Sequence, residues 1–151
     1  MKSTDHNHAD HSHAEGGVHL IGPERLTIDR VEEILERHIP LALSEEARER
    51  ILKCRQWVAD KAYDPEHPIY GVTTGFVDNV RYTISTDEAV QLQKNIVRSH
   101  AAAVGEPLSR EKARAAMMMN IVNLGQATSG ISLEMLELIR NMLNKDLYPH
   151  A

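Results

Sequence analysis

The chain has one cysteine, one tryptophan and one phenylalanine in 151 residues, and aromatic residues make up only 4% of it. A lone Cys54 excludes an intrachain disulfide, so stability has to come from packing. With so few rings, Leu, Ile, Val, Ala and Met must fill the core, mostly from helices. No apolar run approaches the roughly 18 residues that read as a membrane span. The N-terminus also lacks the apolar stretch of a secretory signal. The expectation is a cytoplasmic protein with no membrane partner. Basic runs are missing too: 17 Lys and Arg are dispersed among 22 Asp and Glu, for a net charge of −5. No aromatic platform accompanies them, which argues against a nucleic-acid surface. There is no phosphate-binding glycine loop and no nucleophile elbow.

What is present suits a soluble globular protein: 42% hydrophobic and 26% charged residues, in a length that supports one ordinary core. Residues 1–19 stand apart. They carry His6, His8, His11, His13 and His19 among acids, without apolar periodicity, so a disordered tail is expected there. Residues 20–151 then form one helical domain. Closely spaced neutral imidazoles can share a divalent cation, which makes His6, His8, His11 and His13 candidate ligands. A solvated tail without metal is the other reading.

Along the domain, Arg25–Ile28 reads as a short extended lead into a first helix, capped by Thr27 or Asp29 and ended by Pro40. Ser44, followed by two glutamates, starts a second helix reaching about Tyr63, with Cys54 as a buried small residue on its apolar face. The Asp64-Pro65-Glu66-His67-Pro68 stretch breaks it. Residues 69–76 have two glycines and adjacent β-branched residues, and so read as a short strand and tight loop. Ser85-x-x-Glu88 is a capping box for a third helix running to about Val104. Ser109 and Ser132 cap a fourth and a fifth. The fold class is mainly α, with the extended element at 69–76. The third and fourth helices are apolar on most sides and need more neighbours than this chain offers.

Taken alone, the chemical signals are sparse. Tyr70 sits in a glycine-flanked turn where backbone can approach a ligand closely, although a tyrosine there more often packs. His100 lies on a helix among apolar neighbours, where a core histidine is the commoner outcome. The segments around them alter the weighting. Tyr70-Gly71-Val72-Thr73-Thr74-Gly75-Phe76 resembles the tyrosine loop of the aromatic amino acid ammonia-lyases and the related aminomutases. Leu92 to His100, Ala101 to Leu108, Thr128-Ser129-Gly130-Ile131 and Asn144 to His150 continue that resemblance in order, over about residues 24–150.

The resemblance implies the N-terminal helical portion of an ammonia-lyase-like fold. It also implies chemistry on an aromatic amino acid, aided by a methylidene-imidazolone electrophile. Tyr70 matches the family's catalytic base on a mobile loop. His100 matches a position that helps select the substrate side chain, with Ser99, Gly71 and Thr74 as further substrate contacts. Ser99-His100 is similar to histidases, whereas the Val-Thr-Thr-Gly loop is closer to the phenylalanine and tyrosine enzymes. The electrophile's Ala-Ser-Gly tripeptide would follow shortly after Tyr148-Pro149-His150. The expectation is therefore a chain that does not form the electrophile and joins a complementary lyase chain that carries it, or self-associates. Thr128-Ser129-Gly130 has a similar composition but matches an interhelix turn. Val77, Val122, Gln126 and Ala127 stand where the family usually has Gly, Asn, Arg and Gly. The alternative is a non-catalytic lyase-like binding or assembly protein, holding metal through its His-rich tail.

Overall fold

Four of the five expected helices begin at a hydroxyl that the sequence marks. Thr27 Oγ1 accepts from the Arg30 N–H at 3.3 Å, Ser44 Oγ from Ala47 at 3.1 Å, Ser109 Oγ from Lys112 at 3.4 Å and Ser132 Oγ from Met135 at 3.3 Å. Each bond satisfies an N–H that has no partner inside its own helix. The computed structural model describes residues 13–14, 17–61, 69, 86–102 and 104–149. In chain order its elements are β1 (His13–Ala14), β2 (Val18–Ile21), α1 (Ile28–Glu36), β3 (Leu41–Leu43), α2 (Glu45–Lys61), α3 (Thr86–His100), α4 (Arg110–Gly125) and α5 (Leu133–Asn144). The chain is mainly α, as expected.

The described sheet lies near the N-terminus, in the order β1-β2-β3. Strand β1 runs antiparallel to β2, and β2 runs parallel to β3 with His19 opposite Leu41 and Ile21 opposite Leu43. The extended element expected at 69–76 lies outside the described residues, apart from Ile69. The tail boundary at residue 19 needs correction: β2 begins at Val18, and His19 is buried. Its ring accepts a hydrogen bond from Arg30 Nε at 3.4 Å, and its backbone N–H donates to the Pro40 carbonyl. Tertiary pairing, invisible to composition, orders this segment.

Two helix ends fall short of the sequence expectation, and two others share the geometry of the first. Helix α1 stops at Glu36, before Pro40, because His38 turns left-handed (φ 52°) and the chain closes with Ile39 N–H on Ile34 O and His38 N–H on Leu35 O. This is the two-bond helix stop usually built on glycine. The same left-handed step follows α4 at Ala127 (φ 60°) and α5 at Asp146 (φ 54°). Helix α3 ends at His100, short of Val104. Side chains at its last turn bond to the Ile96 carbonyl, a local alternative to continuing the ladder.

The core is shared by the sheet and the helices. Ile21, Leu41, Leu43, Ile34, Ile51, Met118, Ile121, Leu136 and Leu143 form one buried cluster. Gly125 allows the closest approach: a Cβ there would lie 2.6 Å from Ile21 Cγ2, so the end of α4 rests on the sheet. Asn144 covers the outer edge of β3, its side-chain amide both donating to Leu41 O and accepting from Leu41 N–H. Arg140 adds a bond to that carbonyl at 2.9 Å, and Arg48 pairs with Glu137 to join α2 to α5. Buried Arg114 reaches Asp146 at 2.5 Å and fixes the turn after α5. On α1, the Arg30 hydrogen bond holds the Glu33 carboxyl below the usual carboxylate range, with Arg37 reinforcing it. Cys54 is half-buried, less enclosed than its helical position suggested. No helix among the described residues is long and apolar enough to cross a membrane.

Ala127 offers a stability test. A left-handed alanine is strained by its Cβ, whereas glycine adopts that conformation freely and loses more chain entropy on folding. Replacing Ala127 by Gly is expected to raise stability by about 0.5–1 kcal/mol. A urea titration of both chains measures this; an unchanged or lower midpoint would mean that the turn carries no strain.

Candidate functional site

Helix α3 carries the only part of the expected substrate site that falls within the described residues. Leu92 and Ile96 are half-buried one turn apart, while Gln91, Gln93, Lys94, Asn95 and Arg98 face outward. Val97, an apolar residue, is 69% exposed. The apolar stripe is thus only partly covered within this chain. The helix ends in Arg98-Ser99-His100, which places two cationic or ionisable groups at the negative end of its dipole.

At that end, Ser99 and His100 converge on one carbonyl. Ser99 Oγ lies 3.0 Å from Ile96 O and donates to it, and His100 Nδ1 lies 2.9 Å from the same oxygen. Ser99 Oγ and His100 Nδ1 are 3.1 Å apart. Both side chains are exposed, so the ring is held by its own helix and is not buried in the core. Tyr70, Gly71 and Thr74 lie outside the described residues, as does Val77.

Of the tail candidates, His6, His8 and His11 also lie outside the described residues, and of His13 only the β1 backbone is described. No group of three or more His, Cys, Asp or Glu among the described residues is placed to hold a metal ion.

Thr128-Ser129-Gly130 forms the turn between α4 and α5. Ser129 Oγ accepts from the Ile131 N–H at 3.3 Å, and the Gly130 carbonyl accepts from Arg55 at 3.2 Å. Gly130 is buried with φ 69°, and a Cβ there would lie 2.6 Å from Val58 Cγ2. These contacts fit a packing turn that locks α2 against the α4–α5 corner. The nearby departures from the family pattern also take structural roles. Gln126 Nε2 donates to Gly22 O at 3.3 Å and so ties α4 to the end of β2, and Val122 packs against the core.

Sequence reasoning missed a cleft of about 380 Å³ beside β2 and α1, lined in part by His19, Gly22, Thr27, Arg30, Ser44 and Gln126. Its size is that of a small-molecule pocket. Its polar side chains join its walls: Arg30 to His19 and Glu33, Gln126 to Gly22, Thr27 and Ser44 to helix starts. The Gly22-Pro23 turn after β2 was its one sequence signal.

Comparison with known proteins agrees with this architecture. The chain is similar to a histidine ammonia-lyase from Natranaerobius thermophilus, 37% identical over 132 residues, covering 87% of this chain and 26% of that protein. Among solved structures it is similar to the ergothionase of Treponema denticola, with a TM-score of 0.79 and 25% identity over 87% of this chain and 26% of that one. It is also similar to the tyrosine aminomutase of Streptomyces globisporus, with a TM-score of 0.78 and 29% identity over 87% of this chain and 25% of that one. The chain spans about a quarter of the length of the curated relatives it matches. The family model described as aromatic amino acid lyase matches residues 26–151, and the chain belongs to that family.

Proposed function

We propose that this chain supplies the Tyr70 loop and the His100 end of α3 to the active site of an aromatic amino acid ammonia-lyase or aminomutase. The electrophile would come from a complementary lyase chain. The observation that carries the reading is the family match over residues 26–151, a span that includes both the tyrosine loop and the Ser99-His100 pair. The reading is also supported by surface left uncovered. Val97, Val104, Leu108, Met119 and Leu138 are each more than two-fifths exposed, on α3, the segment after it, α4 and α5. Exposed apolar residues on successive elements suit a large interface.

In this site Tyr70 takes the β-proton of the substrate. A phenol does so near neutral pH only when positive neighbours or hydrogen bonds stabilise its anion, or when the substrate proton is itself acidified. His100 meets the far end of the substrate side chain and so orients the β-carbon toward Tyr70. A methylidene-imidazolone in the partner chain would supply the electron-withdrawing chemistry that eases loss of ammonia and loosens the β-proton. Without that help the barrier is far beyond what one base can lower.

Complementation tests the proposal. The purified chain is mixed with a lyase chain that contains the Ala-Ser-Gly segment but lacks the tyrosine loop, and histidine, tyrosine and phenylalanine are offered in turn. Ultraviolet absorbance of the acrylate product, together with chromatography for the β-amino acid, should appear only in the mixture. A stable monomer that never co-elutes with the second chain and yields neither product would sink the assignment.

A further inference from the structure

Two protons and one carbonyl settle the chemistry at the end of α3. The Ile96 carbonyl can only accept. His100 Nδ1 lies 2.9 Å from it, a distance at which two lone pairs would repel and an N–H would bond. Nδ1 therefore carries the proton in the neutral ring. Ser99 spends its own proton on the same carbonyl at 3.0 Å and leaves its oxygen, 3.1 Å from Nδ1, free to accept a share of the ring N–H. Carbonyl, hydroxyl and imidazole then form a closed triangle in which each proton has an acceptor.

We infer that Ser99 is a positioning residue that, as a second acceptor beside the Ile96 carbonyl, holds His100 in the Nδ1–H tautomer against water, so that Nε2 presents a lone pair outward from the exposed end of α3. A histidine set this way recognises a hydrogen-bond donor. In the proposed site this decides that the ring bonds outward as an acceptor, through Nε2. This last step rests on the proposed placement of His100 in a substrate site. The tautomer does not, because every atom of the triangle belongs to this chain. Ser99 thus acts through His100, by orienting its ring and assigning its proton.

The test needs no partner chain. Long-range nitrogen–proton correlation spectra of the full chain, recorded at about pH 9 where histidines are ordinarily neutral, distinguish the two tautomers by their nitrogen shifts. The His100 signals are assigned as those lost in His100→Gln. The intact chain should show His100 with a protonated Nδ1 and a bare Nε2. Ser99→Ala removes one side of the triangle and should yield a mixture in which the Nε2–H form becomes visible. Ser99→Thr keeps a hydroxyl at that position and should restore the single form. Three results would each overturn the inference: an Nε2–H ring in the unmodified chain, a Ser99→Ala spectrum identical to the parent, or no rescue by threonine. Complementation activity is scored separately, so loss of the tautomer and loss of the proposed function are read independently.

Discussion

Replacing Tyr70 by Phe is expected to lower the turnover of the complemented enzyme by about 10²–10⁴-fold, the usual contribution of a positioned general base. The change removes one oxygen and keeps the ring, so it isolates the phenol's proton chemistry. Substrate binding should change little, and the loss should fall on kcat with KM nearly preserved, because the phenol oxygen matters where the β-proton moves. Initial rates of acrylate formation at saturating substrate measure this, with co-elution of the two chains as the control for assembly. His100→Gln should behave differently. Glutamine can still offer an acceptor, but from a flexible side chain outside the Ser99 triangle, so discrimination among substrates should fall more than the rate on the best one. Turnover of the Tyr70→Phe chain within a factor of two of the parent would remove Tyr70 from the mechanism, and the proposed function with it.

Leu136→Ala should destabilise the chain by about 3–4 kcal/mol. Leu136 is fully buried on α5 (0% exposed), in the cluster that joins Ile121 and Met118 of α4 to Leu41 and Leu43 of β3. Alanine there loses three heavy atoms of transfer energy and leaves a cavity that helices, sheet and turns together cannot close. At an ordinary urea dependence of about 2 kcal/mol per molar, the midpoint should fall by roughly 2 M. Leu138, two residues along the same helix but 54% exposed, is the matched control. Its replacement by Ala should change stability by no more than about 0.5 kcal/mol. Equal effects at the two positions would mean that α5 does not present the face described. A Leu138→Ala chain that folds normally but complements poorly would add support for α5 as part of the interface.

The legible parts of this protein were those with a local cause. Thr27, Ser44, Ser109 and Ser132 each announced a helix start, because a hydroxyl beside a rising apolar period meets donors only two or three residues away. The first residues of α2, α4 and α5 followed from that chemistry, whereas for α1 the sequence left Thr27 and Asp29 open and the structure selects Thr27. The sheet was illegible for the opposite reason. Strands β2 and β3 are four and three residues long, too short to express an alternation, and they pair across the whole of α1. Composition therefore assigned His19 to a tail, whereas its backbone bond to Pro40 and its ring contact with Arg30 place it inside the fold. The left-handed stops at His38, Ala127 and Asp146 were hidden as well, since none is a glycine and only packing can hold such residues there.

The candidate site divides along the same line. By itself, the sequence pointed to the family, later shown by the match over residues 26–151, and singled out Tyr70 to Phe76 and Ser99-His100 as candidates, because these are strings of residue types whose order survives without coordinates. Only the tertiary structure decided that α3 stops at His100, that Gly130 at the end of the Thr128-Ser129-Gly130 turn is buried against Val58 with its carbonyl on Arg55, and that Ser99 turns its proton to Ile96. Those outcomes depend on which groups come within a hydrogen bond's length of one another. Distances of that kind are set by the folded backbone, to which a residue's name is silent.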